Sequence, residues 1–269
     1  MKPEKELICR KEGIPMHKQK VSALFLSALT AFTLLVSGCS GAKSSGSSTA
    51  APSGTNASAS AASASAASAG TGIVRSKEGN PKKILVVYFT YAENTDASRV
   101  TSKSYDAATS ASIVKDKGSL TGNNTLIARA IADRTEADML SLRTREPYSP
   151  DYDAVVKESR EDIPKGILPA LQNGKVPADQ YDTLILVYPV WWYKVAPAMT
   201  AFLKENDFAG KDIYVFVSSG GTGFGDTLQE VQDLQPKARI HEGAAIRQED
   251  AAKAGSSVDS VLAKAKLGK

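Results

Sequence analysis

Ile84-Leu85-Val86-Val87-Tyr88-Phe89-Thr90-Tyr91-Ala92-Glu93-Asn94-Thr95 is the stretch whose reading decides the fold. It begins as an unbroken run of aliphatic and aromatic residues. Such a run, without polar alternation, reads as a strand buried on both faces, as in a parallel sheet. It then stops abruptly in hydroxyls and amides. A strand that ends this way ahead of a helix offers backbone N–H groups and hydroxyls to an anion.

Downstream, the chain alternates strand and helix patterns. Strand one is Ile84–Phe89, and Thr95–Thr121 reads as an inserted loop, polar and without period. A helix is expected from Asn124, with Leu126, Ile127, Ala130 and Ile131 on one face. Asp138–Leu142 is a short strand, and Asp151–Ile163 a helix with Tyr152, Val155 and Val156 inward. Gly166–Ala178, rich in proline and glycine, is a connection. Thr183–Tyr188 is a second buried strand, followed by a helix over Ala198–Asn206. Ile213–Val217 is another strand, and Asp226–Leu234 a helix with Asp226 at its N-cap. Arg239–Ile246 is a weaker last strand, and Gln248–Lys266 a closing helix with Val258, Val261 and Leu262 toward the sheet. This alternation predicts one doubly wound α/β domain over residues 82–269.

Upstream, nothing in the sequence resembles a core. Val21–Val36 is apolar and uncharged, and His17, Lys18 and Lys20 precede it, the pattern of a secretory signal. Val36-Ser37-Gly38-Cys39 resembles the lipobox of bacterial lipoproteins. Residues 1–38 are therefore expected to be a signal peptide with its true start at Met16, and Cys39 the lipidated N-terminus of the mature chain. A plain signal peptide and an uncleaved anchor are the alternatives. Residues 39–81, almost all Ala, Ser, Gly and Thr as far as Gly72, are expected to form a disordered tether. The expected location is extracytoplasmic, held to the cell membrane by lipid. The only cysteines are Cys9 and Cys39, so the mature chain has no disulfide, thiol nucleophile or cysteine metal cluster. Much of the net charge of +4 sits in the leader, and the near-neutral remainder argues against nucleic acid as a partner.

Ligands of doubly wound sheets bind outside the carboxyl ends of the strands, and three strands here end in unusual loops. The first is Thr90–Thr95. The second is Pro189-Val190-Trp191-Trp192-Tyr193-Lys194-Val195-Ala196-Pro197, an aromatic wall between prolines. The third is Ser218-Ser219-Gly220-Gly221-Thr222-Gly223-Phe224-Gly225, where glycine lets backbone donors approach a ligand. A phosphate pocket, an aromatic wall and a glycine-rich donor loop together suit a planar, heteroaromatic, monophosphorylated ligand, and FMN meets that description.

Ile84–Thr95, Tyr181–Pro197 and Ile213–Gly225 resemble the flavodoxin-like family, and so does Tyr148–Asp153. The similarity is to bacterial flavodoxins with a Pro-x-Trp-Trp second loop and a Ser-Gly-Gly third loop. The resemblance implies a five-stranded parallel sheet of order 2-1-3-4-5 with helices on both faces, and Trp192 rather than Trp191 against the isoalloxazine. One departure stands out: Glu93 occupies the place of a glycine in the usual phosphate loop. Residues 96–121 then intervene before Gly122-Asn123-Asn124-Thr125, which looks like the missing Gly-Asn-Thr. The phosphate loop is thus expected to be split, with Thr90, Asn94 and Thr95 from one half and Asn123, Asn124 and Thr125 from the other. Pro189, Val190, Trp191, Trp192, Tyr193, Ser218, Ser219, Gly220, Gly221, Thr222 and Gly223 complete the expected site.

His17 and His241 are the only histidines, so a histidine acid–base pair or metal site is not expected. Tyr193 is the one candidate proton donor, with packing as its other reading. The resemblance implies an FMN-dependent oxidoreductase passing electrons to a small acceptor such as a quinone, with a small molecule or a protein as redox partner. A non-enzymatic electron carrier and a flavin-free anchored interaction module are the alternatives.

Overall fold

The computed structural model describes residues 72–96, 98–100, 113–116 and 119–269, with backbone only at 115, 116 and 119. The signal peptide, Met16, Cys39 and the segment 102–112 lie outside the described residues.

Five parallel strands form the centre: β2 (Ile84–Tyr88), β5 (Asp138–Ser141), β6 (Thr183–Trp191), β8 (Asp212–Ser219) and β9 (Arg239–Arg247). Their spatial order is β5-β2-β6-β8-β9, which is the expected 2-1-3-4-5. Each strand's alternate side chains feed two cores. Leu85, Val87, Phe89, Leu184, Leu186 and Val215 face α2 (Tyr152–Asp162), α3 (Pro197–Glu205) and α4 (Thr227–Leu234). Ile84, Val86, Ile185, Val187 and Phe216 face α1 (Asn123–Thr135) and α5 (Gly255–Ala265). The sheet is thus covered on both sides, which is why its central strands β2, β6 and β8 are largely apolar without alternation.

The domain begins earlier than the expected boundary at residue 82. Strand β1 (Ile73–Val74) pairs antiparallel with β5, and Ile73 is fully buried. Arg75 Nη1 reaches the buried Asp138 carboxylate at 2.7 Å, and Tyr181 donates to the same oxygen at 3.0 Å. Two apolar residues beside a low-complexity stretch give no periodicity to read, so the strand was hidden. The inserted segment likewise ends in structure. Strands β3 (Ile113–Asp116) and β4 (Ser119–Gly122) form an antiparallel pair leading directly into α1, with Ile113 buried.

Other boundaries shift for local reasons. Strand β6 continues through Pro189, Val190 and Trp191, where the sequence predicts a loop. Proline is tolerated there because pairing with β2 has already ended at Val187. Strand β8 likewise takes in Ser218 and Ser219. The closing helix is two pieces, a 3₁₀ segment Gln248–Lys253 and α5, divided where Gly255 weakens helix propensity. The buried face of α1 is Ile127, Ala128, Ile131 and Ala132, rotated from the expected one, with Leu126 and Ala130 half-buried. Asp226 precedes α4 but makes no capping bond; it pairs with Lys194 at 3.0 Å instead.

Candidate functional site

The carboxyl edge of the sheet gathers the three loops. After β2 the chain makes one 3₁₀ turn, Tyr91–Glu93. The start of α1 packs directly on it: a Cβ at Gly122 would fall 1.9 Å from Thr90 Oγ1, so only glycine permits the approach. Asn124 Nδ2 donates to the Phe89 carbonyl at 3.1 Å. The two halves of the split loop therefore meet as expected. Their polar atoms are buried and unpaired. Thr90 Oγ1, both amide atoms of Asn123 and Asn124 Oδ1 have no hydrogen-bond partner among the described residues, nor does Ser218 Oγ at the end of β8. Leaving such groups buried costs roughly 1–3 kcal/mol each. Those of Thr90, Asn123 and Asn124 stand where the positive end of the α1 dipole lies.

Three expected phosphate ligands are engaged elsewhere. The Asn94 amide donates to the carbonyls of Thr90 and Leu142 at 2.9 and 3.0 Å, and its oxygen accepts from Thr144 N at 2.8 Å. It is a brace between β2 and β5. Thr95 donates its hydroxyl to the Tyr148 carbonyl. Thr125 Oγ1 donates to Glu93 Oε1 at 2.8 Å. The Glu93 carboxylate also accepts from Ser141 Oγ and Arg143 Nη2, both at 2.6 Å, and from Tyr88 OH at 3.3 Å. Arg143 further donates to the Glu93 carbonyl. Glu93 thus turns toward the end of β5. Burial and this carboxylate push Tyr88 up to about 12.

The aromatic loop is a hairpin tip. Val190 and Trp191 pair with Val195 and Lys194 of β7 (Lys194–Val195), leaving Trp192 and Tyr193 as the two turn residues. Both have positive φ, +53° and +66°. Tight hairpin turns of this kind normally take Asn-Gly, and two bulky side chains in left-handed backbone mark strain of the sort found at functional sites. The turn is held from behind: Asp226 N–H donates to the Tyr193 carbonyl at 2.8 Å, and Glu230 accepts from Val195 N–H at 2.8 Å. Gly225 lies so close that a Cβ would fall 2.6 Å from that carbonyl.

The two tryptophans part company. Trp191 is 5% exposed and packs edge-on against Phe89 and Tyr148, with centroids 5.8 and 5.5 Å apart. Trp192 is 43% exposed and Tyr193 58%. The Trp192 indole N–H donates to Ser159 Oγ at 3.0 Å, and the Arg160 guanidinium lies 5.4 Å from its ring centroid. Between them these groups enclose a mostly apolar cavity of about 260 Å³, lined by Tyr152, Val155, Val156, Ser159, Val190, Trp191, Trp192, Tyr193, Gly220 and Thr222. Pro189, Ser218 and Ser219 are buried strand residues that support it, and Gly221 and Gly223 turn the glycine loop with φ of +117° and +62°. The α2 wall was legible only as an inward helix face. Ser159 lies one turn beyond Val155 on that face, with no signal of its own. The residues that fix Glu93, namely Ser141 at the end of short strand β5 and Arg143 just after it, gave no warning. Among the described residues no His, Cys, Asp or Glu cluster could hold a metal ion.

The profile of one family, flavodoxin, matches residues 112–255, more than half of the chain. No curated protein matches. Among solved structures, a protein of Bacteroides eggerthii assigned as a flavoprotein aligns at 19% identity over 67% of this chain and 98% of its own, with a TM-score of 0.47. A Lactobacillus acidophilus flavoprotein in complex with FMN aligns at 15% identity over 67% and 98%, TM-score 0.45. A Fusobacterium nucleatum flavodoxin bound to flavin mononucleotide aligns at 13% identity over 69% and 98%, TM-score 0.34. At such scores these likenesses carry no weight of their own beside the family match.

Proposed function

The chain belongs to the flavodoxin family, and from that premise we propose that it is an FMN-dependent oxidoreductase passing electrons to a small acceptor such as a quinone. The observation that carries this reading is the set of buried, unpaired polar atoms on Thr90, Asn123 and Asn124, at the same carboxyl edge of the sheet that carries the cavity walled by Trp192. Native proteins pair the great majority of buried polar atoms, so several unpaired ones gathered at one strand–helix junction favour a bound ligand there. A phosphate would accept from the Thr90 hydroxyl, the Asn123 amide and the free N–H groups that open α1. The isoalloxazine would lie against Trp192 and the backbone of Gly220 and Thr222. The bound flavin would supply the electron chemistry. The protein's own part is to hold the ring, exclude water with the α2 wall, and place the Tyr193 hydroxyl at the rim, where it could give a proton to an acceptor. A single phosphate seat favours FMN over FAD. The near-neutral charge favours an enzyme over a carrier steered to a basic partner.

Absorbance of the purified full chain, followed by heat release and chromatography of its flavin, tests the reading. FMN in 1:1 ratio is the expected result. Recovery of FAD, or no binding at micromolar FMN, overturns it, and the latter leaves the interaction module. We also propose that Cys39 is lipidated and holds the protein outside the cytoplasm, on the strength of the lipobox and the tether. Cys39→Ala should release the protein or leave it unprocessed. A wild type that takes up no fatty acid and stays in the cytosol refutes this.

A further inference from the structure

Neither Trp192 nor Tyr193 favours the positive φ it adopts. Such a conformation persists only where the surroundings impose it, and here the start of α4 does so. Glu230 uses both carboxylate oxygens: Oε2 accepts from Val195 N–H at 2.8 Å, and Oε1 pairs with Lys194 Nζ at 2.9 Å. Lys194 and Val195 are the two residues directly after the turn. Asp226 adds its backbone N–H, donated to the Tyr193 carbonyl at 2.8 Å. The Asp226 carboxylate also reaches Lys194, at 3.0 Å, but it is 63% exposed where that of Glu230 is 27%, and so open an ion pair contributes little. The glycine loop runs straight into Asp226. Gly225 N–H donates to the Thr222 carbonyl at 3.3 Å, and Gly225 lies against Tyr193 too closely to carry a Cβ. The start of α4 therefore touches both walls of the cavity, the turn with Trp192 and the loop with Thr222. Lys194, Asp226 and Glu230 do not line the cavity themselves.

We propose that Glu230 is a positioning residue for this site: with Lys194 it clamps the aromatic turn to α4 in its strained form, so that Trp192 stands fixed opposite the glycine loop before a ligand arrives. That the ligand is a flavin rests on the FMN reading above; that the turn is held by α4 does not. A wall set in advance has little freedom left to lose when a ring packs on it, and this raises affinity. Glu230 binds no ligand and moves no proton. It acts through the backbone of Val195 and the ammonium of Lys194. The clamp serves the ring and not the phosphate seat, so its loss should weaken riboflavin as much as FMN.

The test joins a double-mutant cycle to two titrations. In denaturant melts of the full chain freed of flavin, Glu230→Ala should lower the midpoint. In the Tyr193→Gly background, where glycine takes positive φ without strain, the same change should lower it by about half as much or less, because the two sites are coupled. In titrations, Glu230→Ala should weaken FMN and riboflavin alike, about tenfold, the scale of one lost bond to a charged group. Glu230→Gln keeps an acceptor for Val195 N–H and should keep part of the affinity. Asp226→Asn keeps the backbone donor and should change affinity by less than about twofold. Equal midpoint losses in the two backgrounds overturn the proposal, since Glu230 would then stabilise α4 and not the turn. So does a Glu230→Ala variant that binds both flavins like the wild type, or one that loses FMN alone. If Glu230→Ala does not fold, Glu230→Gln and Lys194→Met replace it in the cycle and have to show the same coupling. A wild type that binds no flavin overturns the FMN reading alone, because the melts contain no ligand and still decide the clamp.

Discussion

The aromatic turn shows how one residue step separates stability from recognition. Trp191 and Trp192 are adjacent, yet the first lies in the core and the second covers a cavity. Trp191→Ala should lower unfolding free energy by about 3–5 kcal/mol, the range for deleting a buried aromatic, while its effect on FMN affinity stays smaller. Trp192→Ala should weaken FMN about tenfold, as expected for a stacking aromatic, with little change in thermal midpoint. Denaturant melts and flavin titrations of both variants decide this, and the opposite pattern would exchange their roles. The turn's backbone adds a second test. Replacing Trp192 with Asn and Tyr193 with Gly together (W192N/Y193G) should stabilise the domain by roughly 1–2 kcal/mol, because left-handed backbone suits those residues, and should abolish tight flavin binding. A destabilised double variant would mean that the turn is not strained.

At the scale of elements, the junction of β2 and α1 decides which polar groups remain for a ligand. Thr90 is unpaired and Thr125 is spoken for by Glu93. Thr90→Ala should therefore weaken FMN strongly and riboflavin little, since riboflavin has no phosphate. Thr125→Ala should show less of that selectivity and instead lose about 1 kcal/mol of stability with its hydrogen bond. Glu93→Gly should not tighten FMN, as a carboxylate facing the phosphate would require. It should cost roughly 1–3 kcal/mol, leaving Ser141, Arg143 and Tyr88 without their acceptor. A gain in FMN affinity would show that Glu93 does face the ligand. The element order was legible because three central strands are unbroken apolar runs and the helices between them span enough residues for a period to show. The split of the loop was legible from Gly122–Thr125, whose composition repeats what the first half lacks. What Glu93 does was not, because its partners Ser141 and Arg143 are brought to it by sheet pairing 48 and 50 residues away. Nor were the partners of Asn94 and Thr95, for the same reason: β5 and the loop after it claim their side chains.

For the whole molecule, the end of the sheet opposite the site carries its own charge cluster. Arg239, and after it His241, hold the Asp212 carboxyl at about 2, below its ordinary value near 3.8, and His241 stacks on Tyr214 at 4.5 Å. Because the folded value is the lower one, this group contributes stability above about pH 4 and loses it as pH falls toward 2. Asp212→Asn should cost about 1 kcal/mol at neutral pH, after discounting for solvent screening. The difference from wild type should shrink in melts taken between pH 4 and 2. A constant difference across that range would assign the cost to packing.

Strand β1 carries a consequence of another kind. Its register sets Ile73 beside Leu140, so residue 72 enters at the carboxyl end of β5, on the edge of the sheet that bears the cavity. A pull applied to the chain ahead of that residue loads a two-residue ladder and the Arg75–Asp138 contact before it loads any of the five parallel strands. The segment is a mechanical fuse. In single-molecule stretching from the N-terminus, a first small rupture releasing a few residues should precede unfolding of the sheet, and Arg75→Ala should lower its force. A single all-or-none event would show instead that the load passes directly into the core.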